Sequence, residues 1–144
     1  MFTRMDHVAV SVKDMEKVIA FYQDIIGMEK VFDRTFDEPM ARLIGVEGTK
    51  VRIVHMKLNN SVVELFDYSY PKGREPRPDP LQSDYGLIHI GFMVEDFHAT
   101  YQRLVDRGVQ FLGEPVEIRP GVWVAYFYGA EHEVCEMREI KQQS

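Results

Sequence analysis

Two histidines and two glutamates recur in this chain at matched positions, one of each in either half. His7 begins the apolar alternation in DHVAVSV, and His89 does so in IHIGFMV, about 80 residues later. Glu64 lies within SVVELFDY, and Glu136 lies within EVCEMREI. Imidazole and carboxylate together suit Zn, Ni, Co, Mn or Fe(II) and disfavour soft thiolate chemistry. A carboxylate flanked by Val63 and Leu65 is expensive to bury unpaired, so it is expected to be paired or metal-bound. If one Glu stays unbound, the remainder is a two-His-one-carboxylate triad with open positions. Taken singly, each residue has a plainer explanation. A lone strand His is more often a hydrogen-bonded core residue, and a lone Glu can face solvent at a sheet edge. The recurrence of both residues in register shifts these odds: two such halves related by a two-fold axis would bring His7, Glu64, His89 and Glu136 together around one divalent metal ion.

The elements that carry these residues also repeat. DHVAVSVKDMEKVIAFYQDIIGMEKVF and IHIGFMVEDFHATYQRLVDRGVQFL each read as a strand ending at a Val (Val12, Val94), an Asp two residues on (Asp14, Asp96), a helix and a Gly (Gly27, Gly108). The Asp residues are placed to accept from free N–H groups at a helix start, and the Gly residues to close the helix in a left-handed turn. Val18, Phe21, Tyr22, Ile25 and Ile26 share one helical face, and Tyr101, Leu104 and Val105 do the same in the second half. Further strands are expected at 30–36, 51–58 and 61–68, with Asn59-Asn60 as a tight turn, and at 111–118, 122–128 and 133–140. Each half is therefore β-α-β-β-β, and the chain is α+β.

Strand alternation puts His7, Ala9 and Ser11 on one face and Val8, Val10 and Val12 on the other. His89, Gly91 and Met93 share a face in the second half. The valine face is expected to meet the helices, which leaves the His face for the inside of a cupped sheet. The modules are read as about 4–68 and 85–140. The Pro-rich stretch SYPKGREPRPDPLQSD between them, 69–84, reads as a linker that could also cover a site. The segment 37–48 reads as an irregular loop.

Composition excludes several classes. The net charge is −6 with acids spread along the chain, which disfavours nucleic acid as a partner. One cysteine, Cys135, rules out an intrachain disulfide and fits a reducing cytoplasm. No apolar run is long enough for a membrane span, and the N-terminus lacks the apolar stretch of a secretory signal.

DHVAVSVKDMEKVIAFYQDIIGM, VVELFDY, GLIHIGFMVEDF and the C-terminal VWVAYFY…EVCEM together resemble the vicinal oxygen chelate superfamily, which includes glyoxalase I, methylmalonyl-CoA epimerase, extradiol dioxygenases and bleomycin-resistance proteins. The resemblance covers nearly the whole chain. It implies two β-α-β-β-β modules forming a cupped, barrel-like mixed sheet with helices outside, and it places the metal ligands at His7, Glu64, His89 and Glu136. It also implies a small-molecule substrate with neighbouring oxygens and a homodimer. The modules can pair within one chain or across two with the same ligand set. The family's DPxG-type turn before the last ligand is replaced here by Gly129-Ala130-Glu131-His132, which leaves Glu133, one strand face away, as the fallback for Glu136.

The ligand set resembles bacterial glyoxalase I. It implies a lyase or isomerase reaction in which Glu64 or Glu136 takes a proton from carbon next to a carbonyl while the metal holds the enediolate. An epimerase is an alternative, although that branch usually carries Gln at the position of Glu64. An Fe(II) extradiol dioxygenase is a second alternative, built on His7, His89 and Glu136 with Tyr126. The His that such an enzyme needs upstream of the Tyr is absent from 108–125. A non-catalytic antibiotic-binding protein is a third, and the full quartet argues against it. Arg42, Arg52, Arg74, Arg77 and Arg119 are basic candidates for an acidic substrate group. His55 is a candidate to support the ligands from behind, and His98 is expected to be exposed.

Overall fold

The computed structural model describes residues 1–141. The chain divides into two compact units, Met1–Pro76 and Arg77–Ser144. The first unit contains β1 (His7–Ser11), α1 (Met15–Phe21, continued by a π-helical turn Tyr22–Ile26), β2 (Glu29–Phe36), α2 (Glu38–Ile44), β3 (Lys50–Leu58) and β4 (Ser61–Tyr70). Its four-stranded sheet has the order β1-β4-β3-β2, with β1 parallel to β4 and the other pairs antiparallel. The second unit contains β5 (Ile90–Met93), α3 (Phe97–Asp106), β6 (Val116–Arg119), β7 (Val122–Tyr128) and β8 (Val134–Ile140). Its sheet repeats the same plan in the order β5-β8-β7-β6, with β5 parallel to β8. Each unit is thus a mixed-sheet β-α-β-β-β module, to which the first adds α2. Among the described residues no helix is long and apolar enough to cross a membrane.

Local signals account for the helix that follows each first strand. The Asp14 carboxylate accepts from the Lys17 N–H at 3.1 Å, and that of Asp96 from the Ala99 N–H at 3.4 Å. Gly27 ends the first helical segment at φ 87° and Gly108 follows the second at φ 78°, in the left-handed region that Gly adopts without a Cβ clash. One face of each sheet meets the helix. In the first unit, Val8 pairs with Val63 and Val10 with Leu65, and that face continues through Met56 and Val54. Val18, Tyr22, Val54, Met56 and Leu65 are all fully buried there. Each such large apolar side chain contributes roughly 1.5–3 kcal/mol relative to exposure. His7, Ala9 and Ser11 point the other way and are exposed. The valine face is the packed one, and the histidine face is left open.

Two segments depart from the sequence expectation. The stretch 37–48 contains α2, which Asp37 caps by accepting from the Glu38 N–H at 2.7 Å and which Gly45 closes at φ 72°. The strand expected at 111–118 shrinks to Val116–Arg119, leaving only a bridge between Phe111 and Phe127. Gly113 and Pro115 explain the gap: Pro has no N–H for the ladder, and Gly weakens a strand.

Candidate functional site

In the first unit the parallel pairing of β1 with β4 sets Ala9 opposite Glu64, so His7 lies two residues back on the same face. His7 Nε2 is 3.3 Å from Glu64 Oε2. In the second unit Gly91 is opposite Glu136, and His89 again lies two residues back. His89 Nε2 is 2.9 Å from Glu136 Oε2. One offset therefore produces one His–Glu pair in each unit. Both carboxylates are well sheltered, with side-chain exposures of 14% for Glu64 and 11% for Glu136. A sheltered carboxylate requires a donor or a cation, and each has an imidazole.

The carboxylates differ in their second neighbour. Glu64 Oε1 lies 3.0 Å from His55 Nε2, directly across the antiparallel β3–β4 ladder. The His55 ring stacks on Phe32 at 4.4 Å between centroids. The position across from Glu136 is held by Tyr126, whose ring lies 5.0 Å from that of His89. His89 Nδ1 is buried without a hydrogen-bond partner among the described residues.

Among the described residues, no group of three His, Cys, Asp or Glu side chains is arranged to hold a metal ion. The four candidate ligands occur as two His–Glu pairs, one in each unit. Two ligand atoms held about 2.1 Å from one ion at right angles lie about 3 Å apart, and the two His–Glu separations are 3.3 and 2.9 Å. In donor type and spacing, each pair suits two adjacent positions around a borderline divalent ion.

Other candidates are taken up elsewhere. Glu133 curls into its own turn: its Oε2 accepts from the Glu131 N–H at 2.9 Å, its carbonyl accepts from the Gly129 N–H at 2.7 Å, and His132 takes φ 69°. Cys135 is fully buried on the opposite face, where burial pushes its thiol up to about 12, so it is neither a thiolate ligand nor a nucleophile near neutral pH. Arg52 is committed within the first unit: it grips Asp33 through two bonds of 2.8 Å and reaches Glu16 at 2.5 Å. That grip pulls the Asp33 carboxyl down to about 2 and raises the Arg52 guanidinium. Arg77 lies 3.8 Å from Asp79 and 3.6 Å from Asp84. Arg42, Arg74 and Arg119 are exposed. His98 is exposed and sets its ring against Trp123 at 4.5 Å. The contact between His55 and Glu64 was within reach of the sequence, because counting back from a tight turn at Asn59-Asn60 makes them partners.

The chain is 33% identical over 121 residues to a 2-epi-5-epi-valiolone epimerase from Actinomyces sp, a match covering 80% of this chain and 65% of that protein. It is 30% identical over 118 residues to the mitochondrial methylmalonyl-CoA epimerase of Homo sapiens, covering 80% of this chain and 60% of that one. The matched region thus spans less than two thirds of either relative. Among solved structures, a glyoxalase family protein from Bacillus cereus superposes with a TM-score of 0.88 at 23% identity, over 98% of this chain and 97% of that one, which establishes the common fold. The family model for the Glyoxalase/Bleomycin resistance protein/Dioxygenase superfamily matches residues 4–129, and this chain belongs to that superfamily.

Proposed function

We propose that the protein is a metal-dependent epimerase acting on carbon next to a carbonyl, with His7, Glu64, His89 and Glu136 as the ligands of one divalent ion. The observation that carries this reading is the repeated His–Glu pair, produced by the same strand offset in both units. Two relatives named as epimerases, at 33% and 30% identity, support epimerisation over the lyase reaction to which the ligand set alone pointed.

Epimerisation requires one proton to leave a carbon and another to return on the opposite face. The chain supplies two sheltered carboxylates for this work. A bound divalent ion would contribute Lewis-acid stabilisation of the oxyanion formed as the proton leaves. Glu64 and Glu136 act as the proton carriers. His55 keeps one oxygen of Glu64 engaged while the other faces His7. Shelter from bulk water strengthens these contacts and slows loss of the proton to solvent.

A glyoxalase-I-like lyase is the second reading. Glu64 favours it, since a carboxylate stands where the epimerase branch usually has Gln. The test is deuterium incorporation in D2O, followed by proton NMR on a malonyl-type thioester and on a hemithioacetal, with metal analysis of protein purified without added metal. Wash-in at the carbon next to the carbonyl of the thioester, lost on chelation and restored by metal, is the expected result. Turnover of the hemithioacetal alone would transfer the assignment to the lyase. Bound iron with catechol cleavage would overturn both.

A further inference from the structure

Arg138 stands two residues beyond Glu136 on β8, so it shares that residue's face of the sheet. Its partners in the ladder are Val124 on β7 and Met93 on β5, both apolar. The side chain is half-buried, and its Nε is shielded from solvent without a hydrogen-bond partner among the described residues. Lys30, Arg52 and Lys141 each lie within ion-pair distance of a carboxylate. Arg138 has no such acidic partner among the described residues.

A guanidinium stays charged at any physiological pH, so shielding its Nε–H from water with no acceptor in reach is unfavourable. Its donors form a rigid fork that fits two coplanar oxygens. The two flanking ladder positions, Val124 and Met93, carry no side-chain donors, which favours a flat carboxylate over a phosphate with further oxygens to satisfy. Two residues along a strand are separated by about 6.6 Å, so one small molecule can reach both Arg138 and Glu136.

We propose that Arg138 binds a carboxylate of the substrate. The substrate is then a carbonyl compound whose own carboxylate lies a few bonds from the carbon that exchanges its proton. This inference rests on the reading of Glu136 as part of the site.

The test uses the full chain after chelator treatment, so that no ion biases the comparison. Monomethyl malonate, which has one carboxylate, and dimethyl malonate, which has none, are titrated while the Arg Nε–H resonances are followed by NMR. Wild type is expected to bind the monoanion about ten- to a hundredfold more tightly than the diester, with the Arg138 resonance shifting. R138M is expected to lose that preference while its melting temperature stays close to wild type. R138K guards against a folding failure: it keeps the charge without the fork and should lose most of the preference. Equal binding of the two probes by wild type, or a preference retained in R138M or in full by R138K, would overturn the inference. Inorganic phosphate displacing monomethyl malonate more effectively than acetate does would overturn the carboxylate assignment. Cobalt uptake by untreated wild type, measured alongside, reports on the metal separately. Its absence would defeat the metal reading while the probe preference still stood.

Discussion

His55 and Glu64 face each other across the β3–β4 ladder with Nε2 3.0 Å from Oε1, and this contact leaves Oε2 turned toward His7. A carboxylate engaged at both oxygens cannot rotate freely, so His55 is a positioning residue for Glu64. Groups that orient a metal ligand from behind are typically worth about 10–100-fold in metal affinity. H55F keeps a ring against Phe32 and removes the nitrogen, and cobalt affinity is expected to fall by about that factor. H55Q, which retains an N–H donor, should recover most of the loss. Equal affinities for H55F and wild type, by chelator competition, would remove His55 from this role.

Replacing either carboxylate by its amide tests its part in proton transfer. E64Q and E136Q are each expected to slow deuterium wash-in by about 100–10,000-fold, the usual range for a lost general acid or base. Neither amide should unfold the protein, since each remains near its imidazole. Wash-in at the wild-type rate in one variant would assign proton transfer to the other Glu alone.

Acid should weaken the first unit through Asp33. Its carboxyl sits at about 2 in the folded chain against an ordinary 3.8, held down first by its hydrogen bonds from Arg52. The folded state therefore binds this proton less readily than the unfolded state. The stabilisation is fully present above about pH 4 and is lost as the pH falls toward 2. D33N removes the linkage, so its melting temperature is expected to decline less than that of wild type across that window. Parallel declines would show that the Asp33–Arg52 pair contributes nothing measurable to acid sensitivity.

The single cysteine offers a check on the packed face. Cys135 is fully buried, and burial holds its thiol at about 12. Folded protein at about pH 8 is expected to resist iodoacetamide for as long as the core stays closed, while denatured protein reacts readily. Rapid labelling of the native chain, read by mass spectrometry, would mean that β8 opens frequently.

The duplicated plan was legible because it is written in local signals: Asp14 and Asp96 before helices, Gly27 and Gly108 after them, and alternating apolar strands between. The register was legible too, since the turn at Asn59-Asn60 determines every pair from Leu58–Ser61 back to His55–Glu64. Helix α2 was harder to read. Its cap at Asp37 and its stop at Gly45 are both in the sequence, but its seven residues are too few for a clear period. The strand expected from Phe111 failed because an aromatic start outweighed the Gly and Pro that follow it. Arg138 could not be singled out, because a charge near the end of a strand looks like any solvated residue until its neighbours are known.

Both carboxylates lie opposite very small residues, Ala9 on β1 and Gly91 on β5. A methyl group added at Gly91 would meet nothing within 4 Å. The neighbouring strand therefore sets only a methyl opposite Glu64 and no side chain at all opposite Glu136. Bulk at positions 9 and 91 can then be altered without disturbing the packed valine face. Side-chain bulk added at these two positions would lie beside the acids while the acids themselves stay unchanged.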